Sequence, residues 1–238
     1  MSDKPLRLHN VSRSFGEVAV IQGLNLEIGH GEFVAIVGPS GCGKTTLLNL
    51  LSGFDKPTAG TVERFGQVRT VYQQGGLLPW LTAAQNISLG LRHIMPKAKQ
   101  DQQLQDLLNL IRLDGFAHHY PHQLSGGMRQ RVEIARALAG DSDILLMDEP
   151  FSSLDYLTRL RMRQELARLL ALRPRTVVFV THDIEEAAQL ADRVVVLTER
   201  PAHIQDTLAI ELPRPRNLTD PAVVHATHHI LAKLGLED

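Results

Sequence analysis

Four short stretches of the chain are apolar at almost every position: Glu32-Phe33-Val34-Ala35-Ile36-Val37, Asp143-Ile144-Leu145-Leu146-Met147, Thr176-Val177-Val178-Phe179-Val180 and Arg193-Val194-Val195-Val196-Leu197. A strand without polar alternation is covered on both faces, as in a parallel sheet packed between helices. Stretches with helical spacing lie between these runs. Thr45-Thr46-Leu47-Leu48-Asn49-Leu50-Leu51 follows a glycine-rich turn after the first strand, and a Leu- and Arg-rich helix from about Leu157 to Leu172 stops before Pro174. This order predicts an α/β fold with crossover helices. Two segments depart from it. Residues 6–28 alternate (Leu6, Leu8, Val11; Leu24, Leu26, Ile28), as edge strands of an antiparallel sheet do. From about 82 to 124 the pattern is helical, with Leu104, Leu107, Leu108 and Ile111 on one face, ending in a loop from Asp114 to Gln123. This segment reads as a helical lobe inserted into the α/β core. Leu212-Pro213-Arg214-Pro215-Arg216 reads as an extended linker before a short helix from about Pro221 to Leu234.

Composition narrows the class without naming the chemistry. The 238 residues suffice for one sizeable core, and 43% hydrophobic with 21% charged residues is ordinary for a globular domain. Lys plus Arg (25) nearly balances Asp plus Glu (26), which leaves no basic footprint for nucleic acid. No apolar run approaches the roughly 18 residues that span a bilayer, and Met1-Ser2-Asp3-Lys4-Pro5 lacks the apolar core of a signal peptide. One cysteine, Cys42, excludes an internal disulfide framework and suits a reducing compartment.

Gly38-Pro39-Ser40-Gly41-Cys42-Gly43-Lys44-Thr45 fits G-x-x-x-x-G-K-[ST] between a predicted strand and a predicted helix. Its glycines let successive backbone N–H groups converge on phosphate oxygens at the positive end of a helix. Lys44 neutralises phosphate charge and the Thr45 hydroxyl is suited to Mg²⁺; Thr46 completes the expected cradle. Cys42 reads as a small residue at a variable motif position. Its place beside a helix N-terminus is expected to lower its thiol pKa.

A second glycine pair opens another helix at Leu124-Ser125-Gly126-Gly127-Met128, with Ser125 as N-cap. The chain thus offers two anion-binding helix starts, whereas one nucleotide has one set of phosphates. A head-to-tail dimer resolves this, each copy's second site meeting the γ-phosphate held by the other's Lys44. Seventeen residues past Met128, Leu145-Leu146-Met147-Asp148-Glu149-Pro150 delivers two carboxylates at a strand end, where ligands bind in such sheets. Asp148 is suited to Mg²⁺ and Glu149 to polarising the attacking water. Ser153-Leu154-Asp155 follows on a turn, and His182 lies just past the third apolar strand, in reach of a γ-phosphate.

The order of these motifs resembles that of ABC transporter ATPases: Walker A, Gln loop, LSGG signature, Walker B with its Glu, D-loop and His-loop. The resemblance covers nearly the whole chain. It implies a P-loop NTPase core with a mostly parallel sheet, an antiparallel β edge lobe and an inserted helical lobe, forming one ABC ATPase domain over residues 1–238. The helical lobe would span about 82–140 and a C-terminal extension about 205–238. By resemblance, Phe15 stacks on adenine, Gln73 reaches Mg²⁺ and the attacking water, Ser125, Gly126 and Gly127 contact the partner's nucleotide, Asp155 crosses the dimer, and His182 senses the γ-phosphate. Lys44 and Gln73 are 29 positions apart, which implies a shortened antiparallel lobe, and Gln74 is the alternative Gln-loop residue.

No membrane-spanning partner is encoded in this stretch, so the resemblance implies a separate permease, with a periplasmic substrate-binding protein acting through it. Gln73-Gln74-Gly75-Gly76-Leu77-Leu78-Pro79-Trp80-Leu81-Thr82 and the Pro-Arg tail resemble the nitrate/sulfonate/taurine branch of bacterial importers. The expected place of action is the cytoplasmic face of the bacterial inner membrane, with ATP and Mg²⁺ as the bound species. A rival class is the soluble ABC ATPase of DNA repair or translation. Against it stand the 52 positions from Gln73 to Ser125, too few for long coiled coils, the single cassette and the near-neutral charge. A small-molecule P-loop kinase would leave the signature, Asp155 and His182 unused. The run Leu77–Leu81 has two readings: filler between lobes, or part of a groove for a permease helix. His225, His228 and His229, and His118, His119 and His122, could each approach zinc, but solvated faces are the simpler reading.

Overall fold

A computed structural model of the chain describes residues 4–73, 76–91, 96–172 and 174–236. Strands β1 (Leu6–Phe15) and β2 (Val18–Ile28) pair antiparallel, then β3 (Phe33–Val37) leads through the glycine-rich turn to α1 (Lys44–Ser52). Strand β4 (Ala59–Arg64) returns to pair with β1, and β5 (Val68–Val71) joins the main sheet. A helical stretch follows, with α2 (Ala83–Leu91), α3 (Lys97–Leu110), two short 3-10 turns and α4 (Gly126–Ala139). The chain re-enters the sheet as β6 (Ile144–Asp148), continues through α5 (Tyr156–Leu172), β7 (Thr176–Val180), α6 (Ile184–Leu190), β8 (Arg193–Leu197) and β9 (Ile204–Ala209), and ends with α7 (Pro221–Lys233).

The strands form a three-stranded sheet, β2-β1-β4, and a six-stranded sheet, β5-β6-β7-β3-β8-β9. In the larger sheet every pairing is parallel except β8 with β9. The expected α/β class and antiparallel lobe are thus present. Alternation across the pleat explains the uninterrupted apolar runs. Phe33, Ala35 and Val37 face one core with Leu145, Met147, Val177 and Phe179, while Val34 and Ile36 face the other with Ile144, Leu146, Val178 and Val180. The second core is closed by α1 (Leu47, Leu48, Leu50, Leu51) against Leu6, Leu8, Leu24 and Ile28 of the small sheet. Strands β3, β6, β7 and β8 are thus covered on both faces, and the polar residues among them, Asp148, Thr176 and Arg193, stand at strand ends.

Two strands had no clear sequence signal. The half-exposed β4 and β9 lack a β-branched run and owe their extended form to partners that lie far off in sequence or across a turn. The tail is fastened as well as extended. Arg216 is buried and its guanidinium donates to the carbonyls of Leu212, Ala188, Ala191 and Ile210, which caps the C-terminal end of α6. Helix α7 packs beyond it, with His229 Nε2 2.9 Å from Asp206 Oδ2. That contact comes first among the causes, ahead of the Thr207 amide and Lys233, that hold the Asp206 carboxyl down to about 2. Among the described residues the histidines of this helix form no cluster of metal-ligating groups.

Candidate functional site

Because β5, β6, β7 and β3 are adjacent and parallel, their carboxyl ends open on one edge of the sheet. Gln73 follows β5, Asp148 ends β6 with Glu149 next, His182 follows β7, and Gly38 follows β3. The sequence separates these residues widely, and the strand order gathers them.

The turn from Gly38 to Gly43 wraps the start of α1. Gly43 has φ 121°, and a Cβ there would meet Val20 Cγ1 at 2.8 Å, so both the dihedral and the space require glycine. Lys44 is nearly buried, and its ammonium turns back over the loop to donate to the carbonyls of Gly38 (2.8 Å) and Pro39 (2.9 Å). Ser40, Gly41 and Thr45 are exposed, Pro39 and Thr46 half-buried. The free amides at the start of α1 give this corner its positive character.

The structure reverses one expectation here. Cys42 is 2% exposed, packed into the core beneath the small sheet, and burial pushes its thiol up, against the pull of Lys44. Proximity to a helix start was outweighed by desolvation.

The Thr45 hydroxyl lies beside the Asp148 carboxyl. Burial raises that carboxyl and the charge of Glu149 raises it further, while Thr45 and Lys44 oppose the shift. Glu149 has φ 46°, a left-handed conformation that costs a residue with a Cβ roughly 1–3 kcal/mol. Its N–H donates to Val180 O (2.9 Å), and its carbonyl accepts from Ser152 N, Ser152 Oγ and Gln130 Nε2. The bent backbone turns its carboxylate out along the sheet edge. There Oε2 accepts from Gln73 Nε2 at 2.8 Å and Oε1 stands 3.1 Å from His182 Nδ1. Three elements thus meet on one carboxylate. His182 itself is fixed on both flanks: Thr181 Oγ1 donates to Glu186 Oε2, and Asp183 pairs with Arg163 and Arg159 of α5.

Thr45, Asp148 and the Gln73 amide are hard oxygen donors of the kind Mg²⁺ prefers, and a buried carboxyl raised beside a second carboxylate is a place a divalent cation would stabilise. The residues present therefore fit the metal. Gln74, the alternative to Gln73, and Gly75 lie outside the described residues.

Ser125, Gly126, Gly127 and Asp155 stand apart. Ser125 caps α4 by accepting from Met128 N at 3.2 Å, and a Cβ on Gly127 would lie 3.1 Å from Leu154 Cδ2. Asp155 is exposed, and the Thr158 hydroxyl and amide hold its carboxyl below the usual range. Among the described residues, no hydrogen bond or ion pair joins these four to the glycine-rich loop. Phe15 is 49% exposed at the β1–β2 turn, with the Arg13 guanidinium 4.3 Å from its ring centroid. Trp80 is 68% exposed, against the filler reading for that residue, whereas Leu77 packs on the main core and Asn86 holds the backbone of Leu78, Leu81 and Thr82.

Sequence reasoning missed Gln130, Glu133, Arg159 and Arg163. For Gln130, Glu133 and Arg163 the available signal was a polar residue at helical spacing on an otherwise apolar, buried face.

Residues 21–152 match the family model described as ABC transporter. Aliphatic sulfonates import ATP-binding protein SsuB 1 of Nocardia farcinica is 44% identical over 238 residues, covering 99% of this chain and 95% of the relative. Nitrate import ATP-binding protein NrtC of Synechocystis is 42% identical over 95% of this chain, which spans 36% of that longer protein. Among solved structures, the bacterial ABC transporter cassette MJ0796 in dimeric form superposes with a TM-score of 0.78 at 35% identity, over 87% of this chain and 99% of that one. The same cassette bound to ADP and Pi, in a dimeric post-hydrolysis state, gives 0.77. With its fold, its glycine-rich loop and its paired carboxylates in this setting, the chain belongs to the ABC transporter ATP-binding family and is an ATP-binding ATPase of the ABC type.

Proposed function

We propose that this chain is the ATP-hydrolysing subunit of a bacterial importer, driving uptake of a small solute of the nitrate, sulfonate or taurine type through a separate permease. It would act at the cytoplasmic face of the inner membrane as one ABC ATPase domain, with a helical lobe over about 82–140 and a C-terminal extension over about 205–238. Among the described residues no helix is long and apolar enough to cross a membrane, and the import proteins similar to it support the importer class. A periplasmic substrate-binding protein would select the solute.

The observation that carries the chemistry is the Glu149 carboxylate held between Gln73 and His182, beside the Thr45–Asp148 pair. In this reading the amides from Gly38 to Thr46 and the Lys44 ammonium hold the phosphates, and Phe15 stacks on the adenine. Thr45, Gln73 and Asp148 hold Mg²⁺, which when bound neutralises charge on the phosphate oxygens. Glu149 accepts the proton of the attacking water as its oxygen bonds the γ-phosphorus; the bond to the bridging oxygen breaks, leaving ADP and phosphate. His182 and Gln73 orient that carboxylate and the water. Ser125, Gly126, Gly127 and Asp155 meet the nucleotide of a second copy, so ATP joins two chains head to tail. The resemblance to a dimeric cassette supports this arrangement.

Glu149→Gln tests the assignment. The amide fills the same space but accepts no proton, so hydrolysis should fall by about 10²-fold or more while ATP binding persists and an ATP-bound dimer accumulates. Hydrolysis near the wild-type rate would remove Glu149 from this role.

A further inference from the structure

Helix α4, whose start carries Ser125, Gly126 and Gly127, buries a polar side chain on its inner face. Gln130 is 5% exposed. Its Nε2 donates to Glu149 O at 3.1 Å, and its Oε1 accepts from Ser153 N at 3.2 Å and from the Ser153 hydroxyl. One amide therefore braces the turn after β6 at both ends. Glu149 sits in that turn at φ 46°, a conformation that persists only when surrounding bonds over-determine it. Its N–H is tied to Val180 of β7, and its carbonyl to Ser152 within the turn itself. The helical lobe reaches Glu149 through Gln130.

We propose that Gln130 is a positioning residue for Glu149, through which the start of α4 governs the hydrolytic carboxylate of its own chain. The proposal rests on the reading of Glu149 as proton acceptor and of Ser125–Gly127 as the contact to a second copy's nucleotide. A helix is stiff over the five residues from Ser125 to Gln130, about 7.5 Å of rise. A displacement of its start by a bound phosphate therefore reaches the Gln130 amide little diminished. The same helix also grips the segment leaving Gln73: Glu133 accepts from the Gly76 amide, and Arg136 Nη1 donates to Gly76 O at 2.7 Å. Nucleotide bound by one copy would in this way set the carboxylate that takes the proton of the attacking water in the other site.

The test compares Gln130→Leu and Gln130→Glu in the full chain with ATP and Mg²⁺. Both lose the donor to Glu149 O, while Gln130→Glu keeps the acceptor for Ser153 N. We expect kcat to fall roughly 10- to 100-fold in both, as small misplacements of a reacting group do. KM and ATP affinity should stay near wild type, both variants should remain folded at the assay temperature, and each combined with Glu149→Gln should still form the ATP-bound dimer. A kcat within about two-fold of wild type, or a loss matched by equal losses of affinity or stability, overturns the proposal. Wild-type kcat in Gln130→Glu alone also overturns it, because the Ser153 bond would then be the one that matters. If Glu149→Gln by itself leaves kcat intact, the underlying reading fails and the proposal falls with it, whereas unchanged Gln130 variants sink the proposal alone.

Discussion

Replacing Arg163 by methionine should destabilise the fold in a pH-dependent way. Arg163 has a side chain 1% exposed, and its Nη2 lies 2.6 Å from Asp183 Oδ2 and 2.9 Å from Glu186 Oε1. The other groups facing Glu186 are Arg159, 3.9 Å away, Asp183, and the Thr181 hydroxyl at 2.7 Å. Burial pushes the Glu186 carboxyl above its usual range, and the charge of Arg163 is the largest effect opposing this. Removing one partner of such a buried pair typically costs about 3–5 kcal/mol. Two features favour the lower end. Arg163 Nε and Nη1 have no partner, so the substitution also removes two poorly satisfied donors, and Asp183 keeps Arg159. We therefore expect a loss of about 3 kcal/mol near pH 8 and a fall in Tm of roughly 6–12 °C for a chain of this size. Without Arg163 the folded-state pKa of Glu186 rises further above its unfolded value. The folded protein then binds more protons than the unfolded one between those two values, so stability falls as pH rises through that window. The deficit should accordingly be smaller at pH 5 than at pH 8. Urea unfolding at both pH values measures it, and Arg163→Met combined with Glu186→Gln should recover much of the loss. A deficit below about 1 kcal/mol at pH 8, or one independent of pH, would refute the reasoning.

Ser125→Arg should leave ATP affinity of the single chain unchanged and abolish turnover; mixed with Lys44→Ala chains it should regain one working site per heterodimer, and silence of the mixture would refute the trans arrangement. Cys42, buried and with its thiol pushed up, should react with maleimide at least about 10-fold more slowly in the folded chain than in denaturant, with or without ATP and Mg²⁺. Rapid labelling of the native chain would show that the thiol is reachable. Trp80→Ala should keep ATP affinity but weaken co-purification with the permease. Trp80 is the single tryptophan, and it is exposed, so assembly should also shift its emission to the blue; an unchanged spectrum and unchanged assembly would exclude it from the contact.

The sequence by itself determined the local elements and much of the chemistry. The apolar runs at 33–37, 144–147, 177–180 and 194–197 read as strands covered on both faces, and the glycines before Lys44 as a tight turn into a helix. Motif order was enough to nominate Gln73, Asp148, Glu149 and His182. It could not show that they meet, because periodicity records how a strand is buried and says nothing of its neighbours. The order β5-β6-β7-β3 decided that, bringing Gln73 within 2.8 Å of Glu149 across 76 positions of sequence. Tertiary context also overruled local inference at Cys42, where the field of a nearby helix start favours the thiolate but the core around it excludes the water a thiolate needs. Strands β4 and β9 are extended because a partner edge was open to them, and no property of their own residues announced it. Gln130 and Arg163 show the same division: a sequence displays a polar residue on an apolar face, and only the fold supplies the carbonyl or carboxylate that makes its burial affordable.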